Sequence, residues 1–415
     1  MGAEHKCLID EERPTLASLL RDSGYATAMV GKWHLGMDFP GDSPSNRDWS
    51  KPTLDMPLDK GFDSFFGIPA SLNYGVLAWF DGRHAAVPPT LFTAKKPNSR
   101  HVDYRIKPPY QTAAKDVRAR GNPVIEVAPD FVDNQCLTRF TDQAISFVTT
   151  HTTRSPDKPF FLYLPLTSPH YPVCPLPQFH GQGDCGGYGE FMIETDYHIG
   201  RVVNAIKASG QLDNTLIVFS SDNGPEKSWK QRVKDFNHES NRGLREGKRS
   251  IYEGGHRVPF IVQWPSGIER PGRSSDRPVC QTDLFATIAE ILDQPIATKC
   301  AEDSESFLQV FKGDAAARTT PMIHHSVSGQ FAIRSGDYKL VLPVGNKSAE
   351  LYNVATDLKE ANNIIEQHHD VAVRLQELAS RVIASGRTTA GDKSPNDTPH
   401  WNHLNWMTPE QYQQY

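Results

Sequence analysis

Four side chains, spread widely along the sequence, are of the kinds that bind and transform a multiply charged anion. They are Lys32, His34, His170 and Lys248. Ammonium groups and imidazoles donate charge-assisted hydrogen bonds to oxyanions, so two of each in one place would form a site for a phosphate or a sulfate. Taken singly, each of them also fits an ordinary surface or loop position. The functional interpretation therefore depends on whether the fold brings the four together.

Asp222 and Asn223 stand side by side in the segment SDNG and offer a different chemistry. Carboxylate and amide oxygens are ligands that suit hard cations such as Ca²⁺ or Mg²⁺. Asp-Asn-Gly is also a common turn sequence, because these residues tolerate the backbone conformations of tight turns. A metal site and a simple turn both fit this segment when it is taken alone.

The elements that would position these residues alternate between helix and strand. Apolar periodicity predicts helices at 15–23, 137–148, 192–206 and 283–292 and strands at 25–30, 160–166, 215–220 and 258–264. Such alternation is typical of an α/β sheet with helices on both faces. Ligands of these sheets bind beyond the carboxyl ends of the strands, and each candidate segment follows or adjoins a predicted strand. This shared position favours one functional site over several unrelated loops.

Residues 38–130 interrupt the alternation and are rich in proline, glycine and aromatic residues. An irregular stretch of this length predicts binding loops rather than core. Within it, four residues could contact an aromatic or sugar group of a substrate, although the aromatic ones could equally serve packing. They are Trp79, Phe80, Arg83 and His84.

The pattern changes again after residue 300. Short antiparallel strands are predicted at 331–334, 338–342 and 350–353, followed by a helix at 368–384 and a polar tail from Gly386. We therefore predict a catalytic domain over 1–300 and a small α+β subdomain with its tail over 301–415.

The overall composition limits the class of protein. The 415 residues include 44 Lys+Arg and 49 Asp+Glu, a net charge of −5, which argues against a strongly basic nucleic-acid binder and a polybasic membrane anchor. Hydrophobic residues make up 38%, enough for a sizeable core. No apolar run reaches the ~18–20 residues of a membrane-spanning helix. The first residues, MGAEHKC, do not form an apolar signal segment, so the sequence leaves the compartment open.

The six cysteines predict no disulfide framework, because they are scattered along a long chain. No C-x-x-C pair or zinc-finger spacing is present. Cys174 and Cys185 could pair across a glycine-rich loop, but the sequence favours two reduced thiols.

The motifs that carry the candidate residues resemble those of a known enzyme family. GYATAMVGKWH at 24–34 is similar to the second signature of the type I, formylglycine-dependent sulfatases. SDNG at 221–224 and GKRSIYEGG at 247–255 resemble later motifs of that family, and KGFDSFFGIPAS at 60–71 resembles its arylsulfatase-like branch. The resemblance extends over most of the chain. It implies an α/β, alkaline-phosphatase-like fold, with a large mixed sheet between helices and a small C-terminal antiparallel sheet.

The resemblance also implies a role for each candidate. The Asp222–Asn223 pair would hold one Ca²⁺ that neutralises sulfate oxygens. Lys32 and Lys248 would bind the sulfate and stabilise charge that develops in the transition state. His170 would protonate or hydrogen-bond the leaving-group oxygen, and His34 would accept a proton from the hydroxyl of the nucleophile. The substrate would be a sulfate ester of a small molecule or a glycan, and family members are commonly periplasmic, extracellular or lysosomal.

Two features of the family are missing from this sequence. Family members begin with a strand that ends in paired aspartates, which complete the metal shell. They continue with C-x-P-x-R or S-x-P-x-R, whose first residue becomes the formylglycine nucleophile. No cysteine or serine here has proline two and arginine four residues later. We therefore expect poor calcium affinity, uncertain turnover and, where the strand is lacking, unpaired backbone groups in the sheet.

The simplest hypothesis for the missing features is a truncated reading frame, in which Met1 is an internal methionine of a longer enzyme. Coding sequence in frame upstream of Met1 would support this hypothesis, and a stop codon immediately upstream would refute it.

Two other functions stay open at this point. A phosphatase or phosphodiesterase of the same superfamily would normally use two metals held by several Asp and His residues, so the lysine-rich motifs fit a single-metal sulfate site better. A non-catalytic protein that binds a sulfate ester or a glycan would need no nucleophile. Hydrolysis of p-nitrophenyl sulfate distinguishes a sulfatase from both.

Overall fold

The chain divides into two units, Met1–Leu212 and Asp213–Tyr415. The structure, a computed structural model, describes residues 5–95, 106–119, 123–313, 316–396 and 400–414. Each unit is described by itself below. The functional division predicted at residue 300 stays a prediction.

The described residues of the first unit form four α-helices and eight strands. The helices are α1 (Leu16–Asp22), α2 (Ala114–Arg118), α3 (Cys136–Arg154) and α4 (Gly187–Ala208). The strands are β1 (Ala26–Lys32), β2 (Ser64–Ile68), β3 (Val76–Leu77), β4 (Phe80–Asp81), β5 (His84–Ala85), β6 (Leu91–Ala94), β7 (Val124–Val127) and β8 (Phe160–Tyr163). Five of these strands, β2 to β6, follow one another without an α-helix between them. The predicted helices at 15–23, 137–148 and 192–206 are confirmed as α1, α3 and α4.

A five-stranded mixed sheet with the order β5-β4-β2-β1-β8 lies at the centre of the first unit. Strand β1 pairs in parallel with both β2 and β8, and the five residues inside its ends are all buried. A parallel strand covered on both faces is expected to be this apolar. Helix α1 leads into it and begins at Thr15, whose side chain accepts a hydrogen bond from the Ser18 amide in a capping box. The predicted mixed α/β sheet is therefore present.

Strand β8 ends three residues earlier than predicted. Pro165 follows its end and has no amide hydrogen with which to continue the ladder. Its carbonyl oxygen still accepts a hydrogen bond from the Lys32 amide, at 2.8 Å. The backbone at the end of β1 is thereby fixed to the chain that follows β8.

The prediction that residues 38–130 form binding loops rather than core is wrong for the described part of that region. Its aromatic and aliphatic side chains make up much of the main hydrophobic core, and Val76, Phe80 and Ile106 are fully buried. The region also contributes β2 and β4 to the five-stranded sheet and forms a second, three-stranded sheet in the order β3-β7-β6. The sequence did not show this because its strands are only two to five residues long, too short for a period to be recognised.

The described residues of the second unit form two antiparallel sheets with helices. The strands are β9 (Ile217–Ser220), β10 (Phe260–Gln263), β11 (Met322–His325), β12 (Phe331–Ser335), β13 (Tyr338–Val341) and β14 (Glu350–Asn353). The helices are α5 (Trp229–Phe236), α6 (Glu253–His256), α7 (Asp283–Ile291), α8 (Leu308–Phe311), α9 (His369–Ser385) and α10 (Pro409–Gln414).

Strands β9 and β10 form a two-stranded antiparallel sheet within the described residues. The sequence correctly predicted both strands but placed them in one sheet with β1 and β8, and the described hydrogen bonds do not show that arrangement. Alternation of helix and strand indicates which elements exist, but it does not specify partners, because pairing depends on contacts distant in sequence.

The small C-terminal antiparallel sheet is present, with the order β11-β12-β13-β14. Helix α9 packs on β12 and β13, and Ile333, Leu340 and Leu375 are buried between them. The tail that follows is polar in composition, yet it also places Leu404 and Met407 in this core. None of the helices that the structure describes is long and apolar enough to cross a membrane.

Candidate functional site

The GKWH motif lies at the end of β1, a strand of the first unit whose five inner residues are all buried. Strand β1 extends through Gly31 to Lys32, two residues beyond the predicted end at Val30. The next amides, of Trp33 and His34, donate to the carbonyl oxygens of Ile68 and Pro69 that follow β2. The two residues that carry chemistry therefore sit on backbone held from both neighbouring strands.

Gly31 is required at this position by its surroundings. Its φ is +143°, and a Cβ atom there would lie 2.2 Å from the Pro165 carbonyl oxygen. No side chain can be accommodated without moving the backbone that bonds to Lys32. The glycine of GKWH thus allows the chain after β8 to approach closely.

Contacts with a loop after β2 orient the His34 imidazole. Its Nδ1 lies 3.1 Å from the hydroxyl oxygen of Ser71, which is buried. Its ring centroid is 5.2 Å from that of Tyr74, and the Lys95 ammonium lies 4.5 Å from the centre of the Tyr74 ring. Sequence reasoning missed Tyr74 and Lys95, because nothing in their spacing connects them to His34.

His170 lies in the loop that follows β8. Its Nδ1 is 2.6 Å from the carbonyl oxygen of Tyr171, to which a protonated Nδ1 donates. The loop is connected to α4 by a hydrogen bond between the hydroxyls of Thr195 and Ser168, at 2.6 Å. The contact of Nδ1 thus fixes the orientation of the His170 ring within the loop.

The first unit therefore brings three of the four predicted catalytic residues to one edge of its sheet. Parallel neighbours β1 and β8 end on the same side, and Lys32, His34 and His170 all follow those ends. The other predicted residues, Lys248 and the Asp222–Asn223 pair, belong to the second unit.

In the second unit, two of the predicted motifs contact each other directly. The Gly224 amide donates to the Gly255 carbonyl oxygen at 3.0 Å, and the Lys248 amide donates to the Pro225 carbonyl oxygen at 2.9 Å. A Cβ atom on Gly224 would lie 1.8 Å from the Gly254 carbonyl oxygen. The glycine of SDNG is therefore explained by backbone packing between the two motifs, whereas a Cβ on Gly254 would meet the Glu246 carbonyl oxygen at 2.3 Å.

The Lys248 side chain is half-buried and makes no hydrogen bond or ion pair to a residue in the described part of the chain. Next to it, Arg249 forms an ion pair with Glu226 at 2.6 Å. Burial raises the pKa of Glu226, but the hydrogen bond from Arg249, with the charge of Lys248, outweighs burial and lowers that pKa. The segment thus contains a second ammonium group, that of Lys248. The positive charge of the neighbouring Arg249 is already neutralised by Glu226.

Glu253 anchors the Lys248 segment to the C-terminal sheet. Its Oε1 accepts a hydrogen bond from the Lys339 ammonium at 3.0 Å, and its amide donates to Glu360 at 2.7 Å. Lys339 lies on β13, is fully buried and also reaches Glu360 at 2.8 Å. No local pattern predicts this contact, because Lys339 and Glu253 are 86 residues apart.

Asp222 and Asn223 carry the kind of oxygen ligand that calcium binds, but two such residues are too few for a calcium site. Asp222 is exposed and Asn223 donates its amide hydrogen to the Gly224 carbonyl oxygen, so its own Oδ1 is turned elsewhere. Ca²⁺ takes about six to eight oxygen ligands. Among the described residues no three His, Cys, Asp or Glu side chains form a group that could hold a metal ion. These two residues do not complete a calcium centre by themselves.

Two of the four residues proposed to contact substrate in the 38–130 region are core residues instead. Trp79 and Phe80 are buried, and Trp79 stacks on Phe131 with ring centroids 4.8 Å apart. Arg83 binds the Asp59 carboxylate at 2.9 Å, whereas His84 is exposed on β5. For the two aromatic residues the packing interpretation is correct.

A cavity of about 420 Å³ lies between α3 and the strands β1 and β2. Its polar lining includes Asp81, His151 and Arg154. None of the predicted site residues lines it. The chemistry at the strand ends, rather than this cavity, therefore defines the candidate site.

Comparison with protein families decides the relationship. The model of the sulfatase family matches residues 7–294, which is more than half of the chain. The chain belongs to the sulfatase family. A second model, the C-terminal region of N-sulphoglucosamine sulphohydrolase, matches residues 245–385 of this sulfatase-family chain.

Individual relatives agree with the family. The chain is 28% identical to an N-acetylgalactosamine-6-O-sulfatase of Bacteroides thetaiotaomicron, over 90% of this chain and 78% of that protein. It is 28% identical to human arylsulfatase A over 79% of this chain and 58% of that protein. The chain thus spans little more than half the length of arylsulfatase A.

A solved structure from the metabolism of multiple glycosaminoglycans by B. thetaiotaomicron has the same fold. It superposes with a TM-score of 0.77 and 26% identity, covering 92% of this chain and 84% of that one. The predicted α/β sulfatase fold is confirmed, and the chain is a sulfuric ester hydrolase by family.

Proposed function

We propose that this chain acts on sulfate esters of glycans, with Lys32, His34, His170 and Lys248 binding and processing the sulfate group. The observation that carries the proposal is the position of GKWH at the end of β1, where hydrogen bonds from both neighbouring strands fix its backbone. The similarity to an N-acetylgalactosamine-6-O-sulfatase supports a sulfated hexosamine as the substrate class.

Each residue has a role that its surroundings allow. Lys32 and Lys248 bind sulfate oxygens and stabilise the negative charge that grows on them as the ester bond breaks. His170, held through Nδ1 by the Tyr171 carbonyl oxygen, uses Nε2 to donate a hydrogen to the leaving-group oxygen. His34, held through Nδ1 by Ser71, uses its other nitrogen to accept a proton. In both imidazoles Nδ1 makes the contact that holds the ring, so the proposal assigns the proton transfer to Nε2 in each.

Members of the sulfatase family generally use Ca²⁺ and formylglycine. Since no C-x-P-x-R or S-x-P-x-R segment is present in this sequence, no step is assigned to a nucleophile. The same observation favours a second candidate function, a protein that binds a sulfate ester or a glycan without turnover. The phosphatase alternative has no observation in its favour.

The proposal predicts that both lysines are needed to bind a sulfate ester. We expect Lys32→Ala and Lys248→Ala each to weaken binding of N-acetylgalactosamine 6-sulfate about 10- to 100-fold, because a hydrogen bond to a charged group is worth about 1.5–3 kcal/mol. Isothermal titration calorimetry on the 415-residue chain measures this directly. A double-mutant cycle shows whether the two lysines act on the same anion, since shared partners give non-additive losses.

Matched control variants are available in each unit. Lys51 is exposed and pairs only loosely with Asp48 at 3.4 Å, and Lys347 is exposed after β13. Lys51→Ala and Lys347→Ala should leave the affinity unchanged. If the Lys32 and Lys248 variants bind as tightly as these controls, the assignment is wrong. Parallel assays of p-nitrophenyl sulfate hydrolysis then distinguish a sulfatase, which turns over, from a binding protein, which does not.

We further propose that Asp222 and Asn223 supply two of the oxygen ligands of a Ca²⁺ ion. Two protein ligands are few for this ion, so we expect a dissociation constant no tighter than about 10⁻³ M, the weak end of protein calcium sites. Calorimetric titration with CaCl₂ measures it, and Asp222→Asn should abolish the heat of binding. Micromolar affinity, or weak binding that survives Asp222→Asn, would show that other residues hold the metal.

A further inference from the structure

The C-terminal tail of the chain carries an exposed aromatic cluster that lies beyond the two family models. These models end at residues 294 and 385, before Trp401 and His403. The tail is nevertheless held to the second unit, since Leu404, Met407 and Tyr412 are buried in its core. A surface feature that is anchored in this way has a defined shape.

Trp401 is fixed edge-on by its neighbours and remains open to solvent. Its ring centroid lies 5.2 Å from that of Phe331, 4.9 Å from that of His325 and 5.1 Å from that of His403. All three rings meet it at steep angles of 68° to 88°, so none of the three lies flat against the indole. The side chain is 36% exposed. Trp401 is therefore a rigid, accessible aromatic surface.

One loop connects this surface to the segment that carries Lys248. The loop 326–330 joins β11 to β12, and its Val327 amide donates to the Arg249 carbonyl oxygen at 3.2 Å. On its other side, Gly329 lies against the His403 ring, since a Cβ there would be 2.6 Å from Nδ1. Val327 itself is 75% exposed. An exposed surface thus runs from Arg249 across Val327 to the imidazoles and Trp401.

We propose that Trp401, with His325 and His403, forms a subsite for a pyranose ring of a sulfated oligosaccharide, one or more sugar units away from the sulfated ring. This inference rests on the proposed function, because it assigns a further part of the same substrate. The face of a pyranose carries C–H groups that pack on an aromatic ring, while its hydroxyl groups need polar partners at the rim.

The imidazoles supply those polar partners. Both His325 and His403 are exposed at the edge of the indole. Burial, together with the charge of His403, lowers the pKa of His325, so this imidazole is neutral at pH 7 and offers one donor and one acceptor. A neutral imidazole of this kind suits hydroxyl groups better than it suits a second sulfate, and His403 adds a second polar side chain at the rim.

The test compares a short and a long ligand on the 415-residue chain. The ligands are N-acetylgalactosamine 6-sulfate and a tetrasaccharide that ends in the same sulfated sugar. We expect the tetrasaccharide to bind up to about tenfold more tightly, the size of one aromatic packing contact. Trp401→Ala should remove this difference and leave the affinity for the monosaccharide unchanged, whereas Trp401→Phe should retain most of it.

The control is Phe236→Ala, because Phe236 is an exposed aromatic residue at the end of α5 in the same unit. It should preserve the tetrasaccharide preference, and thermal unfolding shows whether each variant is folded. Equal affinity of the wild-type chain for both ligands, or a preference that persists in Trp401→Ala, overturns the inference while the proposed function stands. If neither ligand binds to the wild-type chain, the proposed function fails and the inference fails with it.

Discussion

Replacement of Lys339 by methionine is expected to lower the free energy of unfolding of the second unit by about 3–5 kcal/mol, the usual cost of removing one partner from a buried ion pair. Lys339 is completely buried and lies between two buried carboxylates, with its ammonium 3.0 Å from Glu253 and 2.8 Å from Glu360. Methionine has a similar volume but no charge. Two carboxylates would then face each other without a cation between them.

The two carboxylates differ in how strongly they depend on this lysine. Burial raises the pKa of Glu253, but the hydrogen bond from His256 and the charge of Lys339 outweigh burial and hold that pKa well below its ordinary value. Glu253 also contacts Arg257 at 3.2 Å. Burial raises the pKa of Glu360, and Lys339 only partly offsets it. In Lys339→Met, Glu360 would therefore take up a proton before Glu253 does.

Denaturant unfolding followed by circular dichroism measures the effect at pH 7. Lys347→Met is the matched control, because Lys347 lies in the connection that follows β13 and is exposed. A second variant, Lys339→Met combined with Glu360→Gln, should recover part of the loss by removing one unpaired charge. An unfolding midpoint of Lys339→Met equal to that of Lys347→Met would show that the buried pair adds nothing to stability.

The sequence predicted elements well wherever a period extended over enough residues. Helix α9 was expected at 368–384 and is found at His369–Ser385, and the three antiparallel strands before it were also expected. Strand β11 was missed, although it pairs with β12, because its four residues carry two histidines and no alternation. Long segments with a hydrophobic period can be predicted from the sequence, whereas short polar strands cannot.

For the candidate site, the residue types and the motif glycines could be predicted from the sequence. The contacts that hold those residues in place could not. A Cβ on Gly224 would collide with the Gly254 carbonyl oxygen and a Cβ on Gly254 with that of Glu246, which explains why both motifs need glycine. The buried Lys339 was unpredictable, since a lysine in a short strand reads as a solvent-facing residue. Its partner Glu253 belongs to the motif at 247–255, for which the resemblance implied no role of Glu253 itself. Local patterns cannot specify ion pairs between residues so distant in sequence.

Acidification is expected to destabilise the second unit between pH 6.5 and 5, through the stacked pair His256 and His324. Their ring centroids are 3.9 Å apart, and the His256 Nε2 lies 3.4 Å from the Lys339 ammonium. Burial is the largest cause that lowers the pKa of His256, and it is reinforced by Lys339 although Glu253 opposes it. Burial, with the charges of His256 and Lys339, lowers the pKa of His324 well below its ordinary value.

The sign follows from proton binding. A histidine whose pKa is lowered in the folded state binds fewer protons there than in the unfolded chain, so stability is present in full above the unfolded pKa of about 6.5 and is lost as the pH falls. Each histidine that stays neutral contributes up to about 1.4 kcal/mol per pH unit below that value. The low pKa of Glu253 adds to the loss only at lower pH, near the ordinary range of carboxylates. Arg334 and Arg257 also carry positive charge near the pair, and Glu360 is the other carboxylate.

His324→Phe isolates this contribution, because phenylalanine keeps a planar ring against His256 and removes a buried Nε2 that has no hydrogen-bond partner among the described residues. We expect the variant to be as stable as wild type at pH 7 or more so, and to lose less stability between pH 6.5 and 5. His369→Phe, at an exposed position in the first turn of α9, should keep the wild-type pH dependence. Unfolding midpoints at each half pH unit decide the question. If His324→Phe and wild type lose stability in parallel, the acid sensitivity comes from other groups, and the stacked pair must either accept protons at their ordinary pKa or separate without cost.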